Sequence, residues 1–424
     1  MSKKLIFFLV LVLLAGVFCT AAFAGKTVTV LGTWGGGERD AFMKMLEPFE
    51  AATGIKVEFT GTRDLPTILP IRVAAGNPPD VSAIPNPGQM QEFAGVGALV
   101  DLSEFMDIGK LQDEYSQTWI DLGSYGGKLY SIFISADLKS LVWYNLKAFA
   151  NAGYQIPGTW DELMTLSDKM VAQGKTPWSI GLESGAASGW PGTDWIEDIM
   201  LRTAKPEVYD KWVNHEIPWT DSAVKRAWEI FGDIARSDKY VYGGAATALT
   251  TNFGDAPNVL FTSPPRAYMH KQATFIKSFI LNYDPTLKPG EDFSFFPFPS
   301  IDSEYGTPAL GAADMFAVFN NTPEAQALMR YLATAGAQEI WVVQLGKLSA
   351  NRRVNPSAYP DDLTREAAQI LASAQTFRFD GSDLMPAAVG SGSFWSGILD
   401  YIGGEDLDSV LKRIEETAVD AYKK

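Results

Sequence analysis

The sequence predicts an α/β protein built on a parallel sheet with helices on both faces, and three observations carry that prediction. Between Thr27 and Ile84 the chain alternates strand, helix, strand, helix, strand, the order that parallel sheets require. The 424 residues are 46% hydrophobic, enough for two or three folded units with sizeable cores. No internal repeat and no long flexible linker interrupts them, so the units should pack closely.

The elements follow in order. Thr27–Gly32 is a β-branched strand pattern that ends in the turn Gly35-Gly36-Gly37. Glu38 to Ala52 reads as a helix with Phe42, Met45, Leu46 and Phe49 on one face, closed by Thr53-Gly54. Residues 55–59 form a second strand, residues 65–75 a second helix despite Pro66 and Pro70, and Val81–Ile84 a third strand. In such sheets ligands sit at the carboxyl ends of the strands, which points to the loops 33–38, 61–64 and 85–89. Further strands are expected over 129–134 and 141–144. Thr159 and Glu162 make a capping box for a helix that Gly174 closes. Thr322-Pro323 opens another helix, running to about Ala335. The last helix, near residues 407–422, aligns Leu407, Val410, Leu411, Ile414, Ala418 and Ala421.

The N-terminus has the grammar of an export signal. Lys3 and Lys4 precede an apolar run from Leu5 to Val17, and Ala22-Phe23-Ala24 supplies an A-x-A cleavage site. Residues 1–24 are therefore expected to be removed, which favours cleavage over a membrane anchor. Acylation at Cys19 is the weaker alternative, because bulky Val17 and Phe18 precede it. Removing Lys3 and Lys4 leaves 33 of the 35 basic residues against 50 acidic ones, a net charge of −17. That balance argues against nucleic acid and anionic membrane surfaces as partners. Cys19 is the single cysteine of the chain, so the mature protein has neither a disulfide nor a thiol nucleophile. The expected location is periplasmic or extracellular.

The catalytic inventory is thin. Two histidines, His215 and His270, give little material for a metal site or a Ser-His-Asp triad, and lone histidines are usually structural. Gly174-Lys175-Thr176 lacks the earlier glycine of a phosphate loop, Gly35-Gly36-Gly37 fails the dinucleotide pattern at Asp40, and there is no G-x-S-x-G elbow. No cofactor and no metal are expected. A secreted glycosidase needs only two carboxylates and stays open as an alternative. Aromatic surface is abundant instead: of 12 tryptophans, Trp34, Trp190, Trp195 and Trp395 stand beside glycine or in loop contexts. A flat ring face beside amides, carboxylates and Arg suits a sugar, and Trp190 and Trp395 are the best candidates. Trp143, Trp212, Trp228 and Trp341 are read as core.

Several segments resemble the bacterial extracellular solute-binding proteins of ABC sugar importers, the maltose-binding-like family. They are F-E-A-A-T-G-I-K-V at 49–57, A-G-N-P-P-D-V at 75–81, G-T-W-D-E-L at 158–163 and W-Y-N at 143–145. F-D-G-S-D-L-M-P at 379–386 and V-G-S-G-S-F-W at 389–395 are similar to the α-glucoside-binding branch. The resemblance implies a two-lobed periplasmic-binding-protein fold with a ligand cleft between lobes joined by hinge strands. Chain crossings would fall near Asp137, Gly306 and Leu348. The lobes would then comprise 25–137 with 306–348, and 138–305 with 349–424.

Carried over residue by residue, the resemblance implies a site of Trp34 and Glu38 after the first strand, Arg63 and Asp64 after the second, and Asn86 and Gln89 after the third. Lys139 would lie beside the first hinge, Trp190 and Asp194 in the stacking segment, Asp314 on the returning strand and Arg352 beyond the third hinge. Asp380, Asp383 and Trp395 complete the set. Met269-His270-Lys271-Gln272-Ala273 departs from the family pattern where relatives often have glycine before the Phe, as does Pro264-Pro265-Arg266. The function implied is that of a monomeric receptor that captures a di- or oligosaccharide of α-glucoside type and hands it to membrane ABC permease subunits. A receptor for another solute, such as a polyamine, would use the same fold.

Overall fold

The β-branched run Thr27–Gly32 pairs in parallel with Lys56–Gly61 on one side and with Val81–Ile84 on the other. In this computed structural model, which describes residues 26–423, these three strands belong to a five-stranded sheet. Met315–Val318 adds antiparallel beside Val81–Ile84, and Ser131–Phe133 antiparallel beside that. The sheet is therefore mixed where a parallel one was expected: the two added strands enter from distant sequence. The leader expected at residues 1–24 lies outside the described residues.

The helices begin and end close to where their caps stand. The second, Leu65–Ala74, keeps both prolines. Thr159 accepts from the Glu162 amide and the Glu162 carboxylate reaches back to the Thr159 amide, opening the helix Trp160–Ala172. Thr322 caps Pro323–Leu332, which stops earlier than expected because Thr334 caps a separate helix, Ala335–Leu345. The first helix starts earlier than expected, at Gly36.

Hydrophobic burial, the main stabilising term, is divided among distinct clusters. One gathers the first sheet with Phe42, Phe49, Met90, Phe316, Leu328 and Trp341. A second gathers Trp178, Trp195, Trp212, Trp228, Phe394 and Ile398 around the helix Trp190–Thr203. A smaller third one joins Leu138, Trp143, Ile276 and Phe293, beneath the antiparallel sheet of Phe293–Pro297, Leu141–Asn145 and Met269–Lys271. Between the cores lies a three-stranded sheet in which Ala309–Ala312 pairs with Asp137–Leu138 and with Phe377–Phe379. A bridge between Ala136 and Leu348 joins it. Asp137 is thus strand, where the sequence pattern placed a connecting segment.

Candidate functional site

The strand ends, the connecting sheet and the loops of both bodies converge on one cleft. From the first sheet come Thr33, Trp34, Glu38, Arg63, Pro85 and Asn86; from the connecting passages come Asp137, Lys139, Asp314, Lys347 and Asp380. Across from them stand Ser184, Trp190, Phe253, Phe275, Ser382, Asp383 and Trp395. Ten of the fourteen expected residues thus line it: Trp34, Glu38, Arg63, Asn86, Lys139, Trp190, Asp314, Asp380, Asp383 and Trp395. Asp194 sits immediately behind the lining, its Oδ1 2.7 Å from Lys139 Nζ, and Asp64 stands at the rim, accepting from the Ala186 amide at 3.3 Å. Gln89 is buried in the helix Pro87–Gly95 and is not part of the lining.

Arg352 is placed elsewhere, and this corrects its expected position. Its Nε donates to the Asp113 carbonyl at 2.8 Å and its Nη2 to that of Gln112, so the guanidinium serves the surface of the first body. Trp34 reaches the cleft only at its edge, because Phe42, Phe59, Phe316 and Trp341 surround its ring. Trp195, expected in a loop, is buried on a helix against Trp178 and Phe298.

Two buried ammonium groups organise the floor. Lys347 Nζ lies 2.8 Å from Asp314, 3.5 Å from Asp137 and 3.6 Å from Glu38. Burial opposes its charge, but the three carboxylates outweigh burial and hold its pKa above that of ordinary lysine. Asp137 also accepts from Thr274 Oγ1 at 2.7 Å, and Glu38 from Arg63 at 2.9 Å. Lys139 similarly bridges Asp194 and Asp380; burial opposes its charge too, and Asp194, Asp380, Asp383 and Glu197 outweigh it.

Behind Lys139 the helix Trp190–Thr203 contributes Asp194, Glu197, Asp198 and Arg202, which its turns place on neighbouring faces. Asp198 pairs with Arg202 at 2.7 Å and with Lys271 at 2.9 Å. Asp194 Oδ2 and Glu197 Oε2 are buried without hydrogen-bond partners among the described residues, and burial pushes both carboxyls up, Asp194 to about 7. Asp194, Glu197 and Asp380 each bring one oxygen within 4.8 Å of the others. That spacing could hold a cation, but the Lys139 ammonium already joins two of the three. A proton shared among the carboxyls fits the chemistry better.

A folded-state pKa near 7, raised from 3.8, means that Asp194 contributes its full stabilisation below about pH 4 and loses it as the pH rises to about 7. Thermal unfolding of Asp194→Asn and of the parent chain should therefore diverge progressively over that window, the parent losing ground. Parallel curves from pH 4 to 8 would contradict the raised pKa.

The aromatic wall is built by close backbone approach. Gly189 has φ of +106°, and a Cβ there would stand 2.2 Å from the Trp395 carbonyl oxygen; glycine thus seats Trp190 against Trp395. The Trp190 ring meets Phe253 at 5.1 Å and Phe275 at 5.9 Å, with Lys139 Nζ 5.3 Å from its centroid. Phe253, Phe275, Ser184 and Lys347 were not anticipated. Lys347 alone carried a signal, a charge directly before the expected crossing at Leu348. His270, where the sequence departs from pattern, is buried away from the lining with Nδ1 2.9 Å from the Ser179 carbonyl. Burial pushes its imidazole down to about 4.

A polar floor carrying charge-paired lysines, an aromatic wall and two bodies joined by crossing strands define a two-lobed receptor that encloses a solute in its interlobe cleft. The chain belongs to the family described as bacterial extracellular solute-binding protein, whose model matches residues 35–339. It is 47% identical over 392 residues, 92% of each chain, to the osmoprotective compounds-binding protein GgtB of Synechocystis sp.. It is 42% identical over 401 residues, 92% of this chain and 87% of the relative, to the alpha-glucosides-binding periplasmic protein AglE of Rhizobium meliloti. Among solved structures, a chitin oligosaccharide binding protein superposes with a TM-score of 0.81 at 20% identity, over 94% of this chain and 99% of the other. Maltose-bound MalE3 of T. maritima gives 0.74 at 17% identity, over 93% and 99%; both likenesses concern the fold.

Proposed function

We propose that this protein is the substrate-binding component of an ABC transporter, capturing a di- or oligosaccharide of α-glucoside type and delivering it to membrane permease subunits. The observation that carries the reading is the cleft lining: a Trp190–Phe253–Phe275 wall facing Asp314, Asp380, Asp383, Lys139 and Lys347. Ring faces take the C–H surface of a sugar, and the charged floor takes its hydroxyls. The names of the two relatives, one binding alpha-glucosides and one osmoprotective compounds, support the ligand class. Asp64, Gln89 and Asp194 act in this reading from the rim or from behind the lining.

The chain works outside the cytoplasmic membrane after cleavage behind Ala24, as a monomer, and releases its sugar unchanged. The lobes comprise 25–137 with 306–348 and 138–305 with 349–424. Calorimetric titration of residues 25–424 with trehalose, maltose, sucrose, cellobiose and putrescine tests the reading. Binding of an α-glucoside that is recovered intact is expected. Hydrolysed product, or binding of putrescine alone, would overturn it.

A further inference from the structure

Resting on that reading, we propose that closure of the lobes over a sugar takes up a proton on the carboxyl cluster Asp194, Glu197, Asp380 and Asp383, so that affinity falls as the pH rises. All four carboxyls are buried. Among the described residues one ammonium, Lys139, pairs with them, on Asp194 at 2.7 Å and on Asp380. The neighbouring cations are engaged elsewhere. Lys271 lies 2.9 Å from Asp198 and donates to the carbonyls of Asp194 and Lys139 at 3.1 and 3.4 Å, while Arg202 pairs with Asp198 at 2.7 Å. Lys347 lies 2.8 Å from Asp314, whose own charge acts on Asp383. Tyr209 donates its hydroxyl to the Phe379 carbonyl at 3.0 Å, and burial keeps the phenol neutral. On the helix Pro87–Gly95, Glu92 accepts from the Ala387 amide at 3.2 Å.

Hydrogen bonds absorb only part of the excess negative charge. Asp380 Oδ1 accepts from the Ser382 hydroxyl at 2.7 Å and from the Asp383 amide at 2.9 Å, and Glu197 Oε1 accepts from the Ser382 amide at 2.9 Å. Asp194 Oδ2 and Glu197 Oε2 are left without partners among the described residues. Such an oxygen is costly to bury on a carboxylate and far less so on a neutral acid. Asp383 ties this cluster to the lobes' movement. Asn86, beyond the strand Val81–Ile84 of the first sheet, donates to it, and Gly88 packs so close to the Leu384 and Met385 carbonyls that a Cβ has no room. The first lobe thus covers the Asp383 turn, and parting the lobes returns that carboxyl to water. Burial and the charge of Asp380 push it up in the covered arrangement, and hydration brings it back toward the ordinary range. A carboxyl whose pKa is higher when covered binds a proton on closure. That contribution is present at low pH and is lost as the pH rises through the covered value. A sugar carries no charge of its own, so the proton supplies the counter-charge that lets this floor be covered.

Titration calorimetry of residues 25–424 in phosphate and in Tris, at one pH, separates the heat of binding from that of buffer ionisation and so counts the protons exchanged. With an α-glucoside that binds, uptake of about half a proton or more is expected at pH 7.5, and Kd should rise about tenfold or more from pH 6 to pH 8.5. Asp383→Asn and Glu197→Gln each replace an acid by its neutral isostere, with folding checked by circular dichroism. In at least one folded variant both the uptake and the pH dependence should fall by about half or more. A parent that takes up no proton across this range, or releases one, overturns the proposal and leaves the α-glucoside reading standing. So does undiminished uptake in both variants. Failure of every sugar to bind, or binding of putrescine alone, overturns the α-glucoside reading itself, and the proton coupling with it.

Discussion

Replacing Lys347 with Met should cost about 3–5 kcal/mol of stability at neutral pH and lower the thermal midpoint of the unliganded protein by roughly 10 °C. The side chain is buried, and it supplies the ammonium that faces Asp314, Asp137 and Glu38 together. Met fills similar volume without a charge, so three carboxyls would face one another across a low-dielectric space, with Arg63 left on Glu38 alone. Removing one partner of a buried ion pair is costly for this reason, even where the intact pair contributes little net stability. The pH dependence gives a second reading of the same defect. Burial already pushes the Asp137 carboxyl up, and without the ammonium that opposes this shift the stability it lends is lost further as the pH rises. The deficit of Lys347→Met relative to the parent should shrink from pH 7.5 to pH 5. A deficit independent of pH would show that lost packing, not charge, governs the site.

Replacing Trp190 with Ala should weaken α-glucoside binding by about 2–3 kcal/mol, roughly 30- to 150-fold in Kd, while leaving the fold in place. The residue opens the helix Trp190–Thr203 at the cleft surface and is only half-buried, unlike Trp195, Trp212 and Trp228 in the second core. Its ring forms the centre of the aromatic wall between Phe253 and Phe275. Truncation therefore removes the stacking face and uncovers Lys139 without opening a core cavity. Isothermal titration before and after the substitution measures the loss. A Kd within threefold of the parent would move the sugar off this wall.

The contrast between Trp190 and Trp195 shows what sequence could and could not disclose. Both looked like loop residues beside breakers, yet five positions along a helix turn a side chain by roughly 140°. One ring thus faces the cleft and the other the core. Local signals served well: the Thr159–Glu162 capping box, the Thr322 cap and the four residues Val81–Ile84 stand where their patterns put them. Pairing over long distance did not show. Nothing near Met315 announces that it will lie antiparallel to Ile84 and to Phe133, and that insertion makes the first sheet mixed. In the site, ten expected residues meet because the strand ends and crossings on which they stand converge. Phe253 and Phe275 come from loops with no local pattern, and Lys347 from a single charge in an otherwise uncharged stretch. Arg352 was placed by position relative to a crossing, but its guanidinium turns back to the carbonyls of Gln112 and Asp113.

The central claim, capture of an α-glucoside by closure of two lobes over this cleft, is tested most directly by small-angle X-ray scattering with and without saturating sugar. The mature chain should be open and extended without ligand. It should contract, with the maximum dimension falling toward that of the closed arrangement, when a disaccharide that binds in calorimetry is added. Asp64→Gly, which removes the acceptor of the Ala186 amide, should contract less completely. Calorimetric binding with scattering curves that superpose before and after addition would contradict closure as the mode of capture.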